Sequence, residues 1–175
     1  MATTWKIDPV HTHVQFSVRH MMVSNVKGVF AKTSGSVVLP NGDLTKAEIA
    51  IEVDAASLDT REPQRDAHLK SPDFLDVNQF PQLTFRSTRI AKSGDGYTVT
   101  GDLTIHGVTK TVALNVEAPG PEAKDPWGGI RRGFEASTEI NRKDFGLVWN
   151  QTLETGGVLV GDKVKISLEV ELVQA

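Results

Sequence analysis

Residues 65–76, RDAHLKSPDFLD, bring Arg65, Asp66, His68, Lys70, Asp73 and Asp76 together in a chain with only five histidines. A histidine among carboxylates is material for acid–base catalysis or for metal ligation. A second group lies near the N-terminus. There Asp8 precedes His11 and His13, and two histidines at that spacing share one face of an extended segment. Together His11, His13, Asp66 and His68 would equip a metal-assisted hydrolase or isomerase, which is the enzymatic alternative for this chain. Little else supports it. The sequence has no Gly-x-Ser-x-Gly turn, no Gly-rich phosphate loop, no second pair at metal-ligand spacing and no cysteine. The expectation is therefore no catalytic residue and no metal. Arg65, Asp66, His68 and Arg142 are read as polar head-group contacts or as structural anchors. Because Arg65 and Asp66 are adjacent, they cannot share a helix face, and each is expected to tie its segment to a different strand.

The elements that must position these residues show mainly a period of two. HVQFSVRHM sets Val14, Phe16, Val18 and His20 on one face, and AEIAIEV sets Ile49, Ile51 and Val53 opposite Glu48 and Glu52. YTVTGDLTIHG and TVALNVEA alternate in the same way and are separated by the tight-turn signal HGVT, so they are expected to form a hairpin. KVKISLEVELV is the cleanest alternating run. With segments near 27–39, 82–91 and 130–141, about eight or nine antiparallel strands result, the pattern of a sandwich or barrel. The fold class is all-β with one or two short helices. Thr60 is expected to cap the main helix, ahead of Glu62 and Pro63, and Pro72 to end it.

Size and charge narrow the function. A chain of 175 residues with 39% apolar and 23% charged residues reads as one domain, 1–175. Nineteen basic against 22 acidic residues leave no cationic footprint for nucleic acid. MATTWKIDPVHTHV lacks a basic start followed by an apolar run, which points to the cytoplasm, or to the periplasm if a leader has been removed. A barrel of about eight strands either fills with side chains or holds one small ligand. Gly28 and Gly101 fall among large inward-facing residues and are read as leaving room. The apolar candidates for lining that space are Phe16, Val18, His20, Phe30, Phe74, Phe85, Leu103, Ile105, Phe134 and Phe145.

Four stretches in order, DPVHTHVQFSVRHMMVSNVKGVF, SLDTREPQRDAHLKSPDFLDVNQFPQLTFRS, GDLTIHGVTKTVAL and INRKDFG, resemble the YceI-like family of polyisoprenoid-binding proteins. The matched positions include Asp8, His11, Phe16, His20, Gly28, Arg65, Asp66, His68, Phe85, Gly101, Asn141, Arg142 and Phe145. Thr12 stands where the family commonly has Ser, and Leu75 where a second aromatic is common. The resemblance implies an extended lipocalin-like antiparallel barrel. It also implies a binder rather than an enzyme, with no cofactor beyond a bound polyisoprenoid or related amphiphilic lipid. Transient membrane contact, a homodimer and no nucleic-acid partner complete that expectation.

Overall fold

The structure is a computed structural model and describes residues 2–175. Among the described residues there are twelve strands: β1 (Ala2–Ile7), β2 (His13–His20), β3 (Ser24–Phe30), β4 (Thr33–Pro40), β5 (Glu48–Asp54), β6 (Leu58–Asp59), β7 (Gln82–Ser93), β8 (Gly96–Ile105), β9 (Val108–Val116), β10 (Ala123–Lys124), β11 (Ile130–Asn141) and β12 (Val160–Gln174). Eight of them, β1, β4, β5, β7, β8, β9, β11 and β12, close an antiparallel barrel, because β12 pairs both with β11 and with β1. One helix, α1 (Pro63–Lys70), crosses near the open end.

The alternation read in β12 is realised. Leu168, Val170 and Leu172 are buried inside while Lys165, Glu169 and their neighbours in phase face outward. Burying each such side chain contributes on the order of 1.5–3 kcal/mol. They meet Trp5, Val37, Leu39, Val99 and Leu114 in one apolar cluster that plugs one end of the barrel. The β8–β9 hairpin forms as expected, with His106 and Gly107 both at positive φ in a two-residue turn.

Two local expectations are corrected. Segment 27–39 is not one strand: β3 and β4 are halves of a bent strand broken at residues 31–32, just as β1 and β2 are broken at Pro9–His11. The β1 and β4 halves pair with each other in the closed ring. The β2 and β3 halves pair with each other and leave the ring along β12, ending at β6. This bent two-stranded ribbon splays one wall outward, and that splay opens the barrel's upper half. The helix cap is Glu62 rather than Thr60. Its carboxylate accepts the Arg65 N–H, Pro63 takes the first helical position, where the missing N–H costs nothing, and Ser71 ends the helix ahead of Pro72.

Candidate functional site

The splayed half encloses a cavity of about 520 Å³. Its lining is mostly apolar. Val164, Ile166 and Leu168 line it along the inward phase of β12, and Phe16 and Val18 along β2, with Phe85, Leu103 and Ile105 facing them from β7 and β8. Along β12 the lining runs from Val160 to Leu168, roughly 26 Å at the rise of an extended strand. Phe16 and Phe30 pack with ring centroids 5.5 Å apart, making one aromatic wall.

Polar groups gather at the open end. Arg19 and His20 come from the end of β2, Glu62 from the cap of α1, Gln64, Arg65 and His68 from α1 itself, and Arg142 from the turn after β11. His68 sits between two rings, its centroid 5.1 Å from that of Phe74 and 4.6 Å from that of Trp149, both edge-on. Its Nε2 lies 3.0 Å from an Asp73 carboxylate oxygen. A histidine held this way presents an aromatic ring with one polar edge at the mouth. Trp149 escaped the sequence reading because the stretch around it, FGLVWNQT, has no periodic signal.

Phe16, Val18, His20, Phe30, Phe74, Phe85, Leu103 and Ile105 all line this one cavity. Phe134 and Phe145 do not. Phe134 packs against the cluster at the plugged end, and Phe145, 1% exposed, ends the turn at residues 142–145 and packs into a second apolar cluster with Leu75, Ile140 and Leu147. Sequence phase marks a residue as inward-facing but does not say whether its height along the barrel is packed or hollow. The two glycines are also corrected. The room at Gly28 is taken by the ring of Phe16 and that at Gly101 by the ring of Phe85, so neither leaves space for a ligand.

Arg65 and Asp66 tie to one residue rather than to two strands. Thr60 donates its backbone N–H (2.8 Å) and its hydroxyl to Asp66, while Arg65 donates to the Thr60 hydroxyl (2.8 Å) and carbonyl (2.7 Å). Helical side chains lean toward the N-terminus, so two adjacent residues in the first turns can both reach a residue lying just beyond it. Arg65 also faces the cavity, whereas Asp66 does not. Arg142 acts as an anchor. Only 3% exposed, its guanidinium donates to the carbonyls of Leu147 (2.7 Å), Trp149 (2.9 Å) and Gly161 (2.8 Å), so it staples the start of the mouth loop at 147–159 to the β12 residues that follow it. Burial lowers its proton affinity, with Asp162 opposing.

The four residues of the enzymatic alternative do not converge. His13 projects outward beside Glu117, Glu135 and Glu169, Asp66 is committed to Thr60, and His68 lies in the cavity mouth. His11 is at the plugged end, its Nδ1 2.8 Å from Asp8. There Asp8, His11 and Glu171 could bring three ligand atoms within 4.8 Å of one another. A cation already fills that role: Arg131 donates to Asp8 (2.6 Å), Asp125 (2.8 Å) and Glu171 (2.8 Å). Hydrogen bonds from His11 first and Arg131 second hold the Asp8 carboxyl down at about 2. This network joins β1, β11 and β12 and reads as a structural clasp.

A family model described as a YceI-like domain matches residues 5–172. A UPF0312 protein of Photorhabdus laumondii is 42% identical over 147 residues, which cover 83% of this chain and 76% of that protein. The crystal structure of Burkholderia cenocepacia BcnA aligns with a TM-score of 0.79 and 26% identity, over 94% of this chain and 98% of its own. A polyisoprenoid binding domain from Saccharophagus degradans, implicated in plant cell wall breakdown, aligns with a TM-score of 0.70 over 98% of both chains. At 14% identity that last likeness is one of fold.

Proposed function

This chain belongs to the YceI-like family, and on that premise we propose that its cavity holds one long apolar ligand, a polyisoprenoid or a similar amphiphilic lipid, for storage or exchange. The observation that carries the reading is the asymmetry of the cavity: mostly apolar walls along its length, and its ionisable side chains, Arg19, His20, Glu62, Arg65, His68 and Arg142, gathered at the mouth. Such a space is a poor host for water, which needs two to four polar partners, and a good one for a hydrocarbon chain with its polar end at the opening. Its volume of about 520 Å³ lies within the roughly 300–1,000 Å³ usual for sites that bury a single ligand. The Saccharophagus degradans domain, described as polyisoprenoid-binding, supports the same ligand class on the same fold.

Energetics favour exchange over permanent capture. Leaving water would gain about 0.8 kcal/mol per CH₂, but a lipid arriving from a bilayer moves between two apolar phases and gains little. The site is that of a binding protein, since the side chains that would do metal-assisted chemistry are spread over the mouth, the outer wall and the plugged end.

Native mass spectrometry with lipid extraction of freshly purified protein tests this. The wild type is expected to release a lipid-sized species, and Val18→Phe, which fills the cavity from β2, to keep its fold and lose most of that species. A wild type without extractable lipid, or a fully loaded Val18→Phe, would overturn the reading.

A further inference from the structure

We propose that the rim of the cavity, formed by the β2–β3 turn and the loop at residues 147–159, docks on a lipid bilayer and inserts Met21, Met22 and Val23 among the acyl chains. The ligand then passes between membrane and cavity without crossing water. This rests on the reading of the cavity as a lipid site.

The first support is a turn whose residues contradict its geometry. Val23 N–H donates to the His20 carbonyl (3.0 Å), and the two residues between, Met21 and Met22, have φ of 51° and 60°. Two consecutive left-handed residues closing a hairpin favour Asn-Gly or a relative, because a side chain carries a steric penalty there. Elsewhere among the described residues the chain follows that preference, with Asn41–Gly42, His106–Gly107 and Gly156–Gly157 at its other paired positive-φ positions. Two methionines satisfy neither the backbone nor the solvent. They are 44% and 60% exposed, and Val23 is 77% exposed. Residues that break a local rule without improving the fold mark a surface used for something else.

The second support is position. Met21 N–H donates to the Leu159 carbonyl (2.8 Å), and the Met22 sulfur lies over Gly157, so turn and loop form one surface. In the same loop Val148 and Val158 are exposed while Leu147, Trp149 and Leu159 line the cavity. The exposed patch is thus continuous with the cavity wall. Methionine, flexible and polarisable, suits contact with a fluid phase.

Charge decides the kind of membrane contact. The chain carries a net charge of −3, and the rim holds Glu154 as well as Arg19, whose guanidinium donates to the Met22 carbonyl (3.1 Å). Attraction to anionic lipid therefore contributes little, and apolar insertion must supply the binding.

The test is flotation of the full chain with phosphatidylcholine vesicles. Wild type is expected to float, and the double variant Met21→Asn/Met22→Gly, which restores the favoured turn, to bind vesicles about tenfold less while melting no lower. Trp127, 86% exposed, lies toward the opposite end. It sits in the turn just before β11, which pairs Arg131 with Val173, while β2 pairs His20 with Val160, roughly 40 Å away along β12. Trp127→Ser is therefore expected to float like wild type. A double variant that floats as well as wild type, or a loss confined to Trp127→Ser, would overturn the proposal. So would sedimentation showing that wild type, but not the double variant, self-associates through this patch. Extracted lipid is measured in parallel: a wild type that floats but carries none supports docking and overturns the ligand reading alone. One that carries lipid but does not float overturns docking alone.

Discussion

The ring of Phe85 covers the face of Gly101 on the neighbouring strand, and a Cβ built there would lie 2.5 Å from Phe85 Cζ and 2.4 Å from the carbonyl oxygen of Arg86. A backbone oxygen cannot step aside. Gly101→Ala is therefore expected to destabilise by about 1–3 kcal/mol in urea unfolding. At Gly28 the nearest atoms to an added Cβ are side-chain atoms, the ring of Phe16 and the Thr60 methyl, rather than backbone, so Gly28→Ala should cost less. The reverse order, or no effect at Gly101, would contradict the packing described.

Thr60, 3% exposed, gives both its N–H and its hydroxyl to Asp66. Asp66→Ala strands these donors, and a loss of about 1–3 kcal/mol is expected in thermal or chemical unfolding. Extractable lipid should be unchanged, because Asp66 does not line the cavity. Intact stability with lipid lost would place Asp66 at the ligand instead.

The clasp at the plugged end makes an acid-side prediction. Asp8 titrates at about 2 in the folded chain against 3.8 ordinarily, so the unfolded state binds the proton more readily. Its contribution is fully present above pH 4 and is lost as pH falls from about 4 towards 2. Carboxyl-detected NMR should show this midpoint, and both His11→Leu and Arg131→Leu should raise it, the former more. An Asp8 midpoint near 3.8 in the wild type would remove the clasp.

Arg142→Met leaves the carbonyls of Leu147, Trp149 and Gly161 without their donor. A loss of at least about 2 kcal/mol is expected. Limited proteolysis should then cut first within residues 150–157, the span that the staple encloses. Unaltered cleavage there would mean that the loop is held by other contacts.

Much of this architecture is legible along the chain because it is set by local physics. Alternation at Ile166, Leu168, Val170 and Leu172 reflects one face of a sheet meeting a core, and that periodicity survives whatever the partner strand is. The HGVT turn and the stop before Pro72 likewise depend on a few neighbouring residues. β1 carries a weaker local signal, since its six residues bury only Trp5 and Ile7. At the site, Phe16, Val18, Phe30, Phe85, Leu103 and Ile105 reached the cavity because strand phase fixes which way a side chain points.

Tertiary structure decided the rest. Whether an inward residue meets space or packing depends on where the wall splays, so Phe16 lines a cavity while Phe134 belongs to the plug. Roles of charged residues depend on partners far away in sequence. Arg131 meets Asp8 across 123 positions, and the separation of His11 from His68 exists only once the barrel has two ends. The sequence by itself determined strands, turns and facing, which are properties of near neighbours. Closure of the sheet alone decided which of those faces surround a void and which residues stand at its mouth, because a cavity is made by segments that no local pattern brings together.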